Sequence, residues 1–185
     1  MQEVLRYLNK DEEWTQYEQA QGRHLIRIYD LPVEMVRLDT TTASTYQAMN
    51  PEGILRLGVS KDHRPDLAQL KVMLGTLDPL GLPLATQVVP GNCADDPLYL
   101  PAIERVRSVL NRKGALFVGD SKMSALETCR VINAGGDYYL TPLSAKVITP
   151  EVLDVYRHLV LRWHCHLVSR VPVSFGFRHH HILPE

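Results

Sequence analysis

Hydrophobic residues in this chain come in short runs, and two of those runs end in the same way. Met35-Val36-Arg37-Leu38 passes into Asp39-Thr40-Thr41-Thr42, and Ala115-Leu116-Phe117-Val118 passes into Gly119-Asp120-Ser121-Lys122-Met123. The second run is unbroken, as expected of a strand buried on both faces. Open α/β sheets keep their ligand chemistry outside the carboxyl ends of the strands. Each run therefore sets an aspartate where such chemistry occurs. If the two strands are neighbours in one sheet, Asp39 and Asp120 share a cleft.

Between them lies a hairpin signal. Leu70, Val72 and Leu74 alternate with Lys71, Met73 and Gly75, Asp78-Pro79-Leu80-Gly81 has turn composition, and residues 82–89 return. The pattern predicts antiparallel strands near 69–77 and 82–89, on one side of the Asp39 strand. Asp96 is placed to cap a helix and Pro97 suits its first position, with Ile103, Val106 and Val109/Leu110 as the buried stripe. A second helix opens on Ser124-Ala125-Leu126-Glu127, a capping box, and turns Leu126, Cys129 and Ile132 to one side. Gly135-Gly136 stops it, and Tyr138-Tyr139-Leu140 reads as another strand.

Upstream, Leu5, Leu8, Trp14 and Tyr17 give one short helix within residues 1–27, followed by an extended stretch at 26–31 and a first core strand at 34–39. Residues 43–66 read as an excursion, with one alternating segment, Ile54-Leu55-Arg56-Leu57-Gly58, and a polar loop from Ser60 to Asp66. The order strand, hairpin pair, helix, strand, helix, strand makes a mixed α/β sheet. It is the order of the RNase H-like fold, in which the first and fourth strands are adjacent. Beyond about residue 149 no period holds except over 152–160, and six of the eight histidines (His158, His164, His166, His179, His180, His181) lie there.

The totals narrow the classes. A chain of 185 residues makes one domain with a real core. At 45% apolar, 22% charged and net charge −1 it is not a dedicated basic nucleic-acid module, though a local basic patch is compatible. No apolar run reaches the roughly 18 residues of a membrane span, and Met1-Gln2-Glu3-Val4 lacks the basic start of a signal peptide. Three widely spaced cysteines, Cys93, Cys129 and Cys165, fit a reducing cytoplasm rather than a disulfide framework.

Two facing carboxylates suit a divalent ion such as Mg²⁺ or Mn²⁺, which takes hard oxygen ligands. Two such ions a few Å apart activate a nucleophile and stabilise the leaving oxygen in phosphoryl transfer. The plainer alternative is that each aspartate caps a turn, Asp39 with Thr40 and Thr41, Asp120 before Ser121. Lys61, His63 and Arg64 are candidates for DNA phosphate contacts, or for a solvated loop. Lys122 can pair with Asp120, meet a phosphate or stand free at the surface. Trp163-His164-Cys165-His166 and His179-His180-His181 look metal-like but have no second ligand pair at zinc spacing.

Taken together, Leu38-Asp39-Thr40-Thr41, the segment from Gly58 to Leu67, Phe117-Val118-Gly119-Asp120-Ser121-Lys122-Met123 and Asp137-Tyr138-Tyr139-Leu140 occur in a specific order. In these four motifs the chain resembles bacterial insertion-sequence transposases of the DDE type, in the group with a long insertion before the last catalytic acid. The resemblance covers residues 30–148. It implies that Asp39 and Asp120 are the first two catalytic acids and metal ligands. It also implies Mg²⁺-dependent hydrolysis at transposon ends, followed by attack of the freed 3′-hydroxyl on target DNA. The family's third acid is a glutamate in a tyrosine-arginine-glutamate-lysine pattern. Here Tyr156-Arg157 has no glutamate at that distance, Glu151 precedes it, and Glu185 is the only later acid.

The resulting expectation is three stretches: a remnant N-terminal helical segment at 1–30, a partial RNase H-like transposase core at 31–148, incomplete at its C-terminal side, and an irregular or unrelated tail at 149–185. The partners expected are transposon-end and target DNA, with a homo-oligomer or a full-length transposase as protein partner, in the cytoplasm and with no membrane. As it stands the chain is expected to be inactive alone. Two alternatives remain open. One is a remnant that grips DNA or interferes with an intact transposase; the other is a haloacid-dehalogenase-type phosphohydrolase, which needs an acid where this chain has Thr41.

Overall fold

The computed structural model describes residues 1–50, 52–59 and 63–142. The expected tail at 149–185, with its histidines, Glu151, Tyr156-Arg157, Cys165 and Glu185, lies outside the described residues, as does Lys61.

Strand β1 (Met35–Thr45) is the one to which the others are added. β2 (Ala68–Leu77) pairs with it antiparallel from Val36↔Leu77 to Thr45↔Ala68. β4 (Leu116–Gly119) pairs with it in parallel from Met35↔Leu116 to Leu38↔Gly119. β3 (Leu82–Pro90) completes the hairpin on β2, and the short β5 (Tyr138–Leu140) lies parallel to β4 at the far edge. The five strands run in the order β3-β2-β1-β4-β5. This mixed sheet, with helical crossovers into its parallel side, is the RNase H-like arrangement.

The helices are α1 (Gln2–Leu8), α2 (Asp11–Tyr29), α3 (Tyr99–Leu110), which follows a 3₁₀ turn at Asp96–Leu98, and α4 (Leu126–Ala134). Alternation along β1 buries Val36, Leu38 and Thr40 and exposes Arg37, Asp39 and Thr41. Helix α3 covers the buried side. A Cβ built on Gly75 would come within 2.9 Å of Val106 and 3.1 Å of Leu38, so only glycine lets helix and sheet meet this closely. Leu38, Met73, Leu84, Ile103, Val106, Phe117 and Ile132 form the apolar centre beneath.

Several local expectations are corrected. The N-terminal residues form two helices rather than one, and 26–29 are helical rather than extended. The reason is tertiary: α2 docks on α3 and β3, with Gly22 against Val109, the Gln19 amide on Ser108 and the Trp14 indole donating to the Thr86 carbonyl. Strand β1 runs on to Thr45, because β2 offers a partner at every rung. Residues 54–58 contribute only an isolated bridge, Arg56↔Gln69. Asp96 caps nothing and instead begins the 3₁₀ turn. The capping box does not form: the Ser124 hydroxyl donates to Ser121, Glu127 pairs with Arg130, and Leu126 is 89% exposed, with Thr128 buried instead beside Ile132, which is buried as expected.

Two ion pairs lock α3 to its surroundings. Arg107 meets the buried Asp137 at 2.9 Å and donates to the carbonyls of Val131 and Ile132 on α4. Asp137 also accepts the Gly114 and Ala115 amides at the entrance to β4. Arg105 meets the buried Glu18 of α2 at 3.1 Å. Burial raises the Glu18 carboxyl above its usual range, opposed by the Arg105 charge and by hydrogen bonds from Thr86.

That shift has a sign. The folded state holds the Glu18 proton more tightly than the unfolded chain, so this residue's stabilising contribution is complete below the ordinary value of 4.5 and fades as pH rises through the raised value. Glu18→Gln should flatten that part of the pH–stability curve. Urea unfolding of both proteins from pH 4 upward measures it; an unchanged slope means that Glu18 does not titrate differently on folding.

Candidate active site

The site is built where β4 ends and β1 does not. Parallel pairing stops at Leu38↔Gly119, so Asp39 and Asp120 each follow the last paired residue of two neighbouring strands. Asp39 is therefore a mid-strand residue, not the last residue of the strand expected at 34–39; Asp120 follows its strand directly, as expected. The chain doubles back immediately after β4. A Cβ on Gly119 would lie 2.7 Å from the Met123 sulfur, so the sharp turn needs glycine. The Asp120 carbonyl accepts the Met123 amide at 3.1 Å and the Thr141 hydroxyl at 2.6 Å, fixing the turn from both sides.

The Asp120 side chain is held just as firmly. Its Oδ1 accepts the Tyr99 hydroxyl at 2.6 Å and the Lys122 amide at 2.9 Å. Among the described residues its Oδ2 takes no hydrogen bond. Asp39 Oδ1 accepts the Thr40 amide at 2.7 Å. Both aspartates thus bind a neighbouring backbone amide, as the turn-capping alternative holds, and Asp120 retains an oxygen for something else.

Tyr99 was not legible as a site residue. It sits among Leu98, Leu100 and Ala102 at the start of an apolar helix and is fully buried, so its pattern is that of core. Burial pushes its phenol well above the ordinary range, reinforced by the bond to Asp120 and by the negative charges of Asp120, Asp39 and Asp95. The phenol therefore remains a donor, and three carboxylates lie close enough to act on it.

Asp95 and Lys71 were likewise missed. Lys71 sits in β2 on the face with Met73 and Gly75, which is the more buried of the two. Its ammonium lies 2.6 Å from Asp95 Oδ1 and 2.5 Å from the Cys93 carbonyl. The buried cation of this neighbourhood is thereby tied to Asp95 and to the loop that leads into α3. Lysines within strands usually point outward, so the sequence carries no sign of this one's burial.

The side chains of two remaining candidates, Lys122 and Arg64, have other partners. Lys122 turns its side chain to Asp96, at 3.9 Å, and offers only its backbone to Asp120. His63 is exposed, with a left-handed backbone at φ 56°. Arg64 forms a two-point pair with Asp66, at 2.9 and 2.8 Å, and lies 6.0 Å from the Tyr46 ring centre. This end of the ribbon, at Thr45↔Ala68, is six residues from Asp39, about 20 Å along the strand. Among the described residues no group of three His, Cys, Asp or Glu side chains is arranged to hold a metal ion. No helix among them is long and apolar enough to cross a membrane.

No protein-family model matches the sequence, and no curated protein does. Solved structures offer likenesses of chain path. A piggyBac transposase in a synaptic complex with hairpin DNA shares 10% identity at a TM-score of 0.47, over 66% of this chain and 26% of that one. The Mos1 transposase paired-end complex with its left transposon end shares 9% at 0.42, over 88% and 56%. The Mos1 mariner paired-end complex with Mn shares 12% at 0.37, over 85% and 50%. The chain thus spans between about a quarter and just over half of these transposases, and the likeness does not reach beyond the fold.

Lys71→Met should cost about 3 kcal/mol by stranding the Asp95 carboxylate beside Asp39 and Asp120. Adding Asp95→Asn should recover a large part of that loss. Chemical denaturation of the single and double variants measures the coupling, and additive losses would show that the pair is not energetically linked.

Proposed function

We propose that these residues form the core of a DDE-type DNA strand-cleavage and strand-transfer domain, with Asp39 and Asp120 as its divalent-cation ligands. The observation that supports this reading is that Asp39 and Asp120 each directly follow the last paired rung of two neighbouring strands, with one Asp120 oxygen unengaged by the described residues. The donor set fits Mg²⁺ or Mn²⁺: it offers hard carboxylate oxygens from two adjacent strands. Such an ion, when bound, makes water a better nucleophile and stabilises charge on the phosphoryl oxygens.

The chain's own residues supply orientation. Tyr99 and the Lys122 amide fix Asp120 through uncharged donors, leaving its negative charge intact. Lys71 is held by Asp95, which keeps a buried ammonium from competing for the pair. The substrate is DNA: transposon ends for cleavage, then target DNA attacked by the freed 3′-hydroxyl, in an assembly with another copy or with a full-length transposase. Strand cleavage breaks a phosphodiester, with water adding to phosphorus and the 3′-oxygen leaving as a hydroxyl; in joining, that hydroxyl loses its proton and bonds to a target phosphorus, whose own 3′-oxygen leaves with a proton.

Only two of the family's three acids fall in a matching position. With the third absent from its pattern, cation binding is weak and the in-line displacement is poorly clamped. The loss is on the order of a thousandfold or more in rate. A DNA-gripping protein without catalysis is therefore the second reading, favoured by the lack of a glutamate at the family's distance after Tyr156-Arg157. A mobility-shift experiment with transposon-end DNA separates binding from inertness.

The expected result with labelled end DNA and Mg²⁺ or Mn²⁺ is no cleavage and no joining. Cleavage that vanishes in Asp120→Ala would overturn the inactive reading and demand a third acid. Cation binding should survive in the parent protein and fall in Asp39→Asn and Asp120→Asn. Calorimetry with Mn²⁺ measures it, and equal affinity in all three proteins would remove these aspartates as ligands.

A further inference from the structure

We propose that Tyr99 is a positioning residue for Asp120, selecting which oxygen of that carboxylate faces a divalent cation. The inference rests on the reading of Asp120 as a cation ligand and deepens it. A carboxylate can only accept hydrogen bonds, so the 2.6 Å contact is a phenol donating to Oδ1. The Lys122 amide donates to the same oxygen at 2.9 Å. Two donors on one oxygen fix both the plane and the rotation of the carboxylate. They leave Oδ2 as the oxygen with no bond from the described residues, so Asp120 presents a single defined donor atom.

The phenol is itself immobile. Tyr99 is fully buried at the first position of α3 and belongs to the central apolar cluster with Ile103 and Phe117. Its ring cannot follow Asp120 if the aspartate swings away. Helix α3 is in turn held by Glu18 through Arg105 and by Asp137 through Arg107, so the orientation of one carboxylate is set by the packing of the whole helix layer.

The chemical identity of the donor matters. An arginine or lysine at this point would hold Asp120 equally well but would cancel its charge and oppose a second cation. A neutral hydroxyl orients the group while leaving a full negative charge for the ion. The nearby ammonium that could have played the other part, Lys71, is held by Asp95 and the Cys93 carbonyl. Hydrogen-bond partners of metal ligands typically change affinity by about 10- to 100-fold when removed.

The test is Mn²⁺ binding followed by electron paramagnetic resonance of the free ion, in the parent protein, Asp120→Asn and Tyr99→Phe, with folding checked by circular dichroism. The expected result is loss of binding in Asp120→Asn and a weakening of about tenfold in Tyr99→Phe, which preserves the ring. Unchanged affinity in Tyr99→Phe, with binding lost in Asp120→Asn, overturns the positioning role and leaves Asp120 as ligand. Unchanged affinity in Asp120→Asn overturns the ligand reading and the inference with it. A second measurement needs no substitution at Tyr99. In ring-labelled parent protein the Tyr99 ζ-carbon resonance should shift on titration with Mg²⁺, and that shift should be absent in Asp120→Asn. A resonance unmoved at saturating Mg²⁺ overturns the proposal.

Discussion

The pairing of β1 with β4 is short, parallel and flanked on its other side by a long antiparallel ladder, and that inequality makes the site. β1 lies between both neighbours through Leu38, and among the described residues its strand pairing beyond that rung is with β2, on to Thr45. β4 can therefore stop and turn without unravelling the sheet. Past that rung Asp39 keeps its regular strand geometry and Asp120 leaves it. A position set by backbone hydrogen bonds is more rigid than one set by a loop, which suits groups that must meet a small ion.

Helix α3 carries that rigidity outward. Its first residue holds Asp120, its glycine-opened contact at Gly75 seats it on the sheet, and its two arginines reach α2 and the entrance of β5. Asp137, one of the four motif positions, emerges as a structural clamp that accepts the Gly114 and Ala115 amides and receives Arg107. Buried charges of this kind add little net stability when complete and cost several kcal/mol when broken. What they contribute here is a fixed relation among α3, β4 and β5.

A gradient in charge runs through the same region. Asp39, Asp95 and Asp120 all act on the Tyr99 phenol, and Asp95 is in contact with a buried cation, Lys71. The carboxylate nearest the loop is neutralised, while Asp120 is satisfied by uncharged donors. The Arg64 guanidinium, at the other end of the β1–β2 ribbon, is bound to Asp66 and leans on Tyr46.

The amino-acid sequence determined the period of the strands and the turn at Asp78-Pro79-Leu80-Gly81, because these depend on local alternation and on residues that terminate it. The hairpin at 68–77 and 82–90 follows directly from such signals. Helix starts fared worse: the Ser124–Glu127 pattern had better partners in Ser121 and Arg130, and α2 gained its length from packing on α3. Only the tertiary structure decided that Lys71 turns inward to Asp95 and that a core tyrosine grips Asp120. A periodic pattern shows that a side chain belongs to a face. It does not show what that face meets, because the partner lies 21 residues away for Tyr99 and arrives only when α3 folds across the sheet.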